Sequence, residues 1–526
     1  MKSPVTRSRG IAIATAAAFA VALIPVGAAT AAPQLGCENR TNNTVAKMLE
    51  CVDADGAMEH LEALQAIADA NGGNRAAGLP GYEASVDYVV DTLEAAGWNV
   101  SIDMFDYDFI GASVLEQLTP LPAATYETGA FSGSGDGDVT ADVVPVDINL
   151  TPPRASTSGC EAADFAGFPA GAIALIQRGS CNFGDKAFFA EQAGAVGVII
   201  FNQGNTPDRE GLIVADASSR TDGTPVTHGI PVVGASFAQG EALSQAGSTA
   251  HVFVPAPDPR PQRNVIAELP GKNDDNVVMA GAHLDSVQAG PGINDNGSGS
   301  ASLLEIAQQM SKVKPENTVR LAWWGAEEDG LLGSAAYVAG LSQAEKDRIA
   351  LYLNFDMVGS PNYIFMAYDG DESGFEAPVT VPEGSVQIED LFESYYTSVG
   401  EPYDDAEFSG RSDYEAFILN GIPAGGLFTG AEVVKTADQQ AIWGGVVDES
   451  YDQCYHAVCD TIDNINEHAL DVNVDAIALA VLAYSYSTES VNGVVGKSIP
   501  GGLTLPAPAG PEGTGAGGGY DPGHAS

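Results

Sequence analysis

The stretch NVVMAGAHLDS (residues 276–286) decides the fold, because an apolar run typical of a buried strand ends directly in His283 and Asp285. The next segment, SASLLEIAQQM (300–310), has apolar residues at helical spacing. Strands that alternate with helices in this way indicate a sheet whose strands are mostly parallel and covered by helices. We therefore predict an α/β fold with a mostly parallel central sheet.

Two further strand-like runs also end in carboxylates. TVRLAWWGA (318–326) leads into Glu327 and Glu328, and IALYLNF (349–355) leads into Asp356. Because ligands of parallel sheets lie beyond the carboxyl ends of the strands, we expect these side chains to meet.

A glycine-rich turn, GINDNGSG (292–299), precedes the predicted helix. An Asp or Asn in this turn could simply cap that helix. Asn296 or Ser298 suits this role at least as well as Asp295, which leaves the two oxygens of Asp295 free to bridge two metal ions.

The amino terminus has the features of a secretory signal peptide, which we assign to residues 1–31. Basic residues precede an apolar stretch (10–26), and Ala29-Thr30-Ala31 offers a small-residue cleavage site. We expect the protein to be secreted into the extracellular space. We find no other stretch that is long and apolar enough to span a bilayer.

A second histidine, His456, lies in the loop CYHAVC (454–459). A disulfide between Cys454 and Cys459 would hold it rigidly, and zinc binding by the two sulfurs is the alternative. We favour the disulfide, because export favours it and the spacing fits no structural zinc motif.

Six cysteines in an exported chain suggest three disulfides, although sequence alone leaves their connectivity open. We favour short-range pairs, because each pair falls within one predicted unit. The predicted pairs are Cys37–Cys51, Cys160–Cys181 and Cys454–Cys459.

The charge balance restricts the partners of the chain. The 526 residues include 22 Lys and Arg against 70 Asp and Glu, which gives a formal net charge of −48. Such a surface repels nucleic acid and anionic membranes, and it tolerates cations such as the ammonium group of a peptide. We expect no nucleic acid and no membrane among its partners, and a monomeric chain.

Residues 126–259 are rich in Gly, Ser, Thr and Pro and contain short β-like runs. Within them, ALIQRGSCNFGDKAFFAEQAGAVGVIIFN (174–202) resembles the protease-associated (PA) domain that is inserted in many secreted peptidases. An unrelated β-rich insertion is the alternative.

The chain length predicts more than one domain. The Gly- and Pro-rich tail cannot bury enough surface to fold alone, so we predict that it is disordered. The predicted divisions are the signal peptide (1–31), the first part of a catalytic domain (32–125), the inserted domain (126–259), the second part of the catalytic domain (260–492) and the tail (493–526).

Each candidate ligand is ambiguous when it is considered alone, since His283 could be a core histidine and adjacent glutamates could face solvent. Together, two histidines and several carboxylates form the ligand set that a pair of zinc ions requires. The set resembles that of the di-zinc aminopeptidases of the bacterial leucyl aminopeptidase and aminopeptidase Y kind. The resemblance covers residues 40–124 and 260–492 and implies the three-layer zinc-exopeptidase fold. It also implies that the partners are peptides with a free amino terminus.

The resemblance implies a specific division of the metal ligands between two zinc ions. His283 and Asp356 would hold one zinc, and Glu328 and His456 would hold the other. Asp295 would bridge the two ions.

The same resemblance implies the catalytic roles. Glu327 would be the general base that moves a proton from water to the leaving amine. Asp285 would support His283, and Tyr455 would stabilise the tetrahedral oxyanion.

Arg411 in FSGRSDYEAF (408–417) matches an arginine beside the active site of these aminopeptidases, and a surface arginine paired with Asp413 is the alternative. Asp471 and Asp475 match positions of a calcium site in a bacterial relative, and a solvated helix face is the alternative.

Three rival functions stay open. A carboxypeptidase or dipeptidase on the same scaffold is the main one, although an α-carboxylate is usually held by Arg or Lys, and these are scarce here. A glutaminyl cyclase would use one zinc, and a binding protein of this fold would have lost ligands. Retention of the full ligand set argues against both.

Overall fold

The computed structural model describes residues 36–37 and 39–517. The chain divides into two compact units, Met1–Arg40 and Thr41–Ser526, and the fold described below belongs to the second unit. The predicted signal peptide (1–31) lies outside the described residues.

The strands of this unit form two main sheets and one short two-stranded pair. In chain order they are β1 (Asn99–Phe105), β2 (Asp108–Phe109), β3 (Val114–Thr119), β4 (Ala124–Tyr126), β5 (Gly137–Val146), β6 (Ile173–Gln177), β7 (Gly197–Phe201), β8 (Val232–Ala235), β9 (Thr249–Val254), β10 (Asp258–Pro259), β11 (Gln262–Leu269), β12 (Asn273–His283), β13 (Asn317–Trp324), β14 (Ile349–Phe355), β15 (Met366–Tyr368), β16 (Asp404–Ala406) and β17 (Ala424–Phe428).

The helices mostly follow strands, as the alternating pattern predicted. In chain order they are α1 (Val45–Leu49), α2 (Ala54–Ala70), α3 (Pro80–Ala95), α4 (Phe183–Gln192), α5 (Phe237–Leu243), α6 (Ser298–Met310), α7 (Leu332–Gly340), α8 (Gln343–Lys346), α9 (Ser385–Val399), α10 (Tyr414–Ile418), α11 (Ala437–Trp443), α12 (Glu467–Tyr486) and α13 (Glu489–Asn492).

The large sheet has eight strands in the order β1-β11-β13-β12-β14-β17-β15-β16. Its centre is parallel, since β12 pairs in parallel with β13 and β14, and β14 pairs in parallel with β17. Antiparallel pairs join β11 to β1 and β13, and β15 to β17. The predicted α/β fold with a mostly parallel central sheet is confirmed.

Helices cover the central strands, which explains why these strands are apolar throughout. All seven residues of β14 are buried, as expected for a parallel strand covered on both faces. Helices α2, α3, α6, α9 and α12 contact one another or the sheet, and α7 and α10 form a separate contacting pair against the strands. The two groups are the outer layers of a three-layer domain.

Helix α12 differs from our expectation that no other segment could span a bilayer. By length and composition it is apolar enough to do so, but 78% of its most apolar window is buried inside the protein. It is therefore a core helix, whose apolar surface packs against α2, α6, α9 and the sheet.

The inserted domain is built on a seven-stranded sheet in the order β4-β3-β9-β5-β6-β7-β8. Separate apolar clusters form around this sheet and helices α4 and α5. Strands β3 and β4 belong to this sheet although both begin before residue 126, where we predicted the domain to begin. The predicted boundary was late because β3 pairs with β9, a long-range contact that composition does not reveal.

We predicted a disordered tail from residue 493, but residues 493–517 are bound to the surface of the folded domain. This segment makes backbone bridges from Val494 to Thr488 and from Gly517 to Ala406. Composition correctly excludes a core of its own, but backbone amides can still bind a surface that has already folded. Residues 518–526 lie outside the described residues.

The buried carboxyl of Glu305 in α6 generates a prediction about pH. Its residue is 4% exposed, and burial raises the pKa of the carboxyl to about 7. Because this pKa is raised by folding, the contribution of Glu305 to the free energy of unfolding is fully present below the pKa of the unfolded state. It is lost as the pH rises through about 7. We expect Glu305→Gln to stabilise the protein by about 3 kcal/mol at alkaline pH and far less at pH 5.

Urea unfolding at both pH values measures this difference. Glu94→Gln, at an exposed position of α3, is the matched control and should change neither value. An equal effect of Glu305→Gln at the two pH values would contradict the prediction.

Candidate metal centre

The carboxyl ends of the parallel strands bring the predicted ligands together. His283 is the last residue of β12, and Glu327 and Glu328 follow the end of β13. Asp356 follows β14 directly. All four side chains meet at the carboxyl-terminal end of the central strands, because neighbouring parallel strands end side by side.

Asp295 lies at the centre of the site, between two histidines. Its Oδ1 is 3.3 Å from His283 Nε2, and its Oδ2 is 3.2 Å from His456 Nε2. Asp356 Oδ1 lies 3.4 Å from His283 Nε2, and Glu328 Oε2 lies 2.9 Å from His456 Nε2. The site thus consists of two half-sites that share one carboxylate.

The spacing of these atoms fits zinc. Zinc bonds to nitrogen and oxygen are about 2.0–2.2 Å long, so ligand atoms around a tetrahedral ion lie roughly 3.3–3.6 Å apart. The separations of 3.3 and 3.4 Å at His283 fall within this range, and those of 2.9 and 3.2 Å at His456 are shorter. In addition, His283 Nε2, Glu328 Oε1 and Asp356 Oδ1 are buried without a hydrogen-bond partner, and cations bound in the two half-sites would satisfy these atoms.

The electrostatics of the site also favour the binding of cations. Burial raises the pKa of Glu328 to about 7, and burial raises the pKa of Glu327 well above its ordinary value, with a further contribution from Asp356. Burial also disfavours the charged Asp295, but the two adjacent histidines outweigh it and lower the pKa of Asp295. Without metal the site depends on protons to offset its carboxylates, and divalent cations can replace those protons.

Asp285 acts differently from the predicted support of His283. Its carboxylate oxygens accept the backbone N–H groups of Glu327 (3.2 Å) and Glu328 (3.3 Å). His283 Nδ1 instead lies 3.2 Å from the backbone carbonyl oxygen of Asp285, while the Asp285 carboxylate is 3.7 Å away and beyond hydrogen-bond reach. The Asp285 side chain therefore orients the two glutamates.

Arg75 is a functional residue that the sequence analysis missed. It is fully buried, and its guanidinium donates to the carbonyl oxygens of Leu284, Pro291 and Gly292. These carbonyls belong to the loop that joins His283 to the turn of Asp295. Arg75 thereby fixes the two ends of this loop, and no local pattern reveals a contact that spans more than two hundred residues.

Two further polar residues position Asp295. Asp460 accepts the backbone N–H groups of Asn294 (2.9 Å) and Asp295 (3.0 Å). Asn296 accepts the N–H of Met357 at 3.2 Å, which connects the turn to the end of β14. Asp460 directly follows the predicted disulfide loop, and this adjacency was the only signal that could have identified it.

The disulfides include two of the predicted pairs. Cys454 is bonded to Cys459 and Cys160 to Cys181, and the first of these bridges closes the loop that carries His456. Cys37 and Cys51 are also disulfide-bonded, and their mutual pairing stays a prediction.

The disulfide loop also carries Tyr455, whose ring stacks on His456 at 3.8 Å between centroids. Arg411 Nη2 donates to Tyr455 Oη at 3.3 Å, and Arg411 Nη1 donates to Glu432 Oε1 at 2.6 Å. The alternative pairing of Arg411 with Asp413 is therefore wrong. The sequence analysis did not identify Glu432, which follows β17 and has no motif around it.

The metal centre opens into a cavity of about 90 Å³. Carboxylates line this cavity together with apolar and aromatic groups. The apolar and aromatic lining residues include Met357, Tyr368, Ala406, Tyr414, Phe428, Ala431, Val433, Tyr451 and Ala516.

The calcium site at Asp471 and Asp475 stays a prediction. Asp471 Oδ1 accepts the N–H of Ala54 at 3.0 Å, and Asp475 Oδ1 is buried without a hydrogen-bond partner. Burial and the charge of Asp471 raise the pKa of Asp475 to about 7.

Comparison with known proteins matches both parts of the chain. Residues 264–481 match peptidase family M28, and residues 139–243 match the PA domain. The predicted PA domain is therefore confirmed, and the alternative of an unrelated insertion is excluded.

Individual relatives agree with the family match. An aminopeptidase of Pseudomonas aeruginosa is 50% identical over 451 residues, which cover 84% of this chain and 83% of the relative. Leucine aminopeptidase 2 of Arthroderma otae is 40% identical over 426 residues, which cover 79% and 80% of the two chains. The structure of a zinc aminopeptidase from Bacillus subtilis aligns with a TM-score of 0.64 and 27% identity, and the match covers 82% of this chain and 94% of that one.

Replacing Arg75 tests its role in the site. We expect Arg75→Met to destabilise the protein by at least about 3 kcal/mol, because three buried carbonyls lose their donor at about 1–3 kcal/mol each. Urea unfolding measures this loss, and calorimetry should show weaker zinc binding because His283 and Asp295 lose their fixed separation.

Arg348→Met is the matched control, because Arg348 also donates to a backbone carbonyl but is only partly buried. This variant should stay within about 0.5 kcal/mol of the parent protein. Normal stability and zinc affinity in Arg75→Met would contradict the assigned role.

Proposed function

The chain belongs to peptidase family M28, and on that premise we propose that it is a secreted zinc aminopeptidase that removes residues from the amino terminus of peptides. The observation that carries the proposal is the position of Asp295, whose two oxygens face two different histidines. One carboxylate shared by two half-sites is the arrangement that a two-metal hydrolase requires.

We assign His283 and Asp356 to one zinc ion and Glu328 and His456 to the other, with Asp295 shared. The short separations and the partnerless ligand atoms support this assignment. When bound, the ions supply Lewis acidity that lowers the pKa of a water and polarises the scissile carbonyl.

Glu327 is the proposed general base. Its Oε2 lies 3.8 Å from His283 Nε2, beside the half-site but farther from it than Asp295 and Asp356. Burial raises the pKa of Glu327 above its ordinary value, which suits a group that takes a proton from water and returns it to the leaving amine.

Tyr455 is the proposed hydrogen-bond donor to the oxyanion. Burial raises the pKa of its hydroxyl well above the ordinary value, so the hydroxyl keeps its proton. Since Arg411 donates to Tyr455 Oη, the hydroxyl hydrogen is free to point into the cavity. Glu432 holds Arg411 in place, so the three residues orient one donor toward the developing charge.

The charges that line the cavity favour an aminopeptidase over a carboxypeptidase. Among the described lining residues, Arg411 is the sole Lys or Arg, and its guanidinium is already engaged by Glu432 and Tyr455. No cation is left for a substrate's α-carboxylate in this part of the chain. The Glu407 carboxylate lines the same cavity and can hold an α-ammonium group.

The apolar wall of the cavity suggests the class of the first substrate residue. Met357, Phe428 and Tyr451 contribute apolar surface close to the metal ligands. We therefore propose a preference for apolar first residues, because a charged side chain would lose its hydration there.

Secretion is supported by the signal-peptide features of residues 1–31 and by the disulfides, which persist in oxidising compartments. A monomeric state stays a prediction.

Three forms of one leucine-led peptide test the proposed direction of attack: the free peptide, the N-acetylated peptide and the C-amidated peptide. We expect stepwise loss of the first residue from the free and amidated forms, and no cleavage of the acetylated form or in the presence of a chelator. Mass spectrometry distinguishes these outcomes. Cleavage from the other end that amidation abolishes would contradict the proposal and identify a carboxypeptidase.

Replacing Glu327 tests the proposed base. We expect Glu327→Gln to keep the fold and the zinc while kcat falls by roughly 10²–10⁴-fold, since a general base contributes about that much. Steady-state kinetics and metal analysis measure the two quantities.

Asp329→Asn is the matched control, because Asp329 is an exposed residue of the same loop whose carboxylate accepts from Tyr107 and which is not among the described cavity-lining residues. It should keep near-parent activity. A near-parent kcat in Glu327→Gln would refute the assignment of Glu327.

A further inference from the structure

The end of the described chain runs along the active-site sheet as a strap, which we define as residues 509–517. Its first half is held by backbone hydrogen bonds. Ala509 N donates to Thr397 Oγ1 at 3.0 Å, and Gly510 N donates to Tyr403 Oη at 2.7 Å. Glu512 N donates to the carbonyl oxygen of Tyr403 at 2.9 Å.

Asp404 is the main anchor of the second half of the strap. This residue is 2% exposed, and its carboxylate accepts Gly513 N at 3.2 Å, Thr514 N at 2.9 Å and Thr514 Oγ1 at 2.5 Å. Gln439 Nε2 also donates to Thr514 Oγ1 at 3.1 Å. A buried carboxylate that accepts three hydrogen bonds from one segment is a specific attachment, because bonds to charged groups are the strong ones.

The last residues of the strap form part of the active-site wall. Ala516 is 2% exposed and lines the same cavity as the metal ligands, together with Gly517. Gly517 pairs in parallel with Ala406, and its carbonyl oxygen accepts Glu407 N at 3.2 Å. A Cβ at Gly517 would lie 2.1 Å from the carbonyl oxygen of Asp405, so the close approach requires glycine here.

The strap occupies a surface that could otherwise bind an extended peptide. β16 is the last strand of the sheet, and the edge of a sheet offers unpaired backbone groups that an added peptide strand can use. The remaining cavity of about 90 Å³ is well below the roughly 300–1,000 Å³ of small-molecule sites. The strap thus takes both the backbone partners and part of the volume.

We propose that the strap is an intramolecular inhibitor that competes with peptide substrates for the β16 edge and the cavity, and that its release or removal activates the enzyme. This inference rests on the proposed aminopeptidase function. The strap cannot itself be processed at this site, because Ala516 and Gly517 lie within the chain and present no free amino terminus.

A competing strap has a defined kinetic signature. Substrate binds only to molecules whose strap is released, so the apparent affinity falls by the released fraction. A saturating substrate displaces the strap, and chemistry then proceeds at its normal rate. Removal of the strap should therefore lower KM and leave kcat nearly unchanged, whereas a loss of structural support would lower kcat.

The test compares the parent chain with a chain that ends at Pro508 and with the full-length variant Thr514→Val, using leucine p-nitroanilide as the substrate. We expect KM to fall by about tenfold or more in the truncated chain. We expect a smaller fall in Thr514→Val, which loses two hydrogen bonds of the anchor. Thr504→Val is the matched control, because Thr504 is exposed in the same tail outside the strap, and its KM should not change.

Two additions keep the test decisive if truncation impairs folding. A synthetic peptide of residues 507–517 should inhibit Thr514→Val competitively. Leucine hydroxamate bound to the zinc-loaded parent chain should speed the hydrogen exchange of the Gly513 and Thr514 amides, because inhibitor and strap cannot bind together.

The outcomes separate this inference from the function on which it rests. If the enzyme is active, equal KM values in the parent, truncated and Thr514→Val chains, with unchanged hydrogen exchange of the strap amides, would refute the inhibitory role of the strap. Failure of the proposed function would instead leave every chain inactive toward peptides with a free amino terminus. The hydrogen-exchange experiment alone would then decide whether the strap and the inhibitor compete.

Discussion

Burial of four carboxylates around two histidines is the electrostatic constraint on which the rest of this structure depends. Asp295, Glu327, Glu328 and Asp356 line one small cavity, where their mutual repulsion and lost hydration would be prohibitive without cations or protons. The raised pKa values of Glu327 and Glu328 express this cost. A site of this kind persists because divalent ions stabilise it and because the surrounding chain holds it rigidly.

The scaffold meets this constraint with contacts that are distant in sequence. Arg75 ties down the loop between His283 and Asp295, and Asp460 holds the backbone of Asp295 itself. Three segments that carry proposed metal ligands also contain a non-glycine residue at positive φ: Ala326 (54°), Met357 (52°) and His456 (55°). Such conformations are uncommon and gather at functional sites, where the surrounding structure compensates for their strain.

Much of this architecture could be predicted from local patterns in the sequence. Apolar runs that end in His283, Glu327 and Asp356 indicated buried parallel strands, and the position of ligands beyond such strands follows from topology. The contributions of Arg75 and Glu432 could not be predicted, because each depends on a partner that only the folded chain brings near. The same reason explains why the carboxylate of Asp285 serves the glutamates rather than His283.

Composition misled where it was the only guide. The tail is too rich in Gly and Pro to form a core, yet Gly513, Thr514 and Gly517 bind a buried carboxylate and a strand edge that the rest of the chain provides. Likewise, β3 and β4 belong to the inserted sheet because of their pairing with β9 and with each other, which their own residues do not reveal. Local sequence thus predicts what a segment can do alone, and packing decides where it binds.

Crystallography of the zinc-loaded protein, with anomalous data at the zinc absorption edge, is the most direct test of whether two zinc ions share Asp295. We predict two zinc peaks, one between His283 and Asp356 and one between Glu328 and His456, each in contact with one oxygen of Asp295. A single peak, or two peaks without a contact to Asp295, would contradict the account.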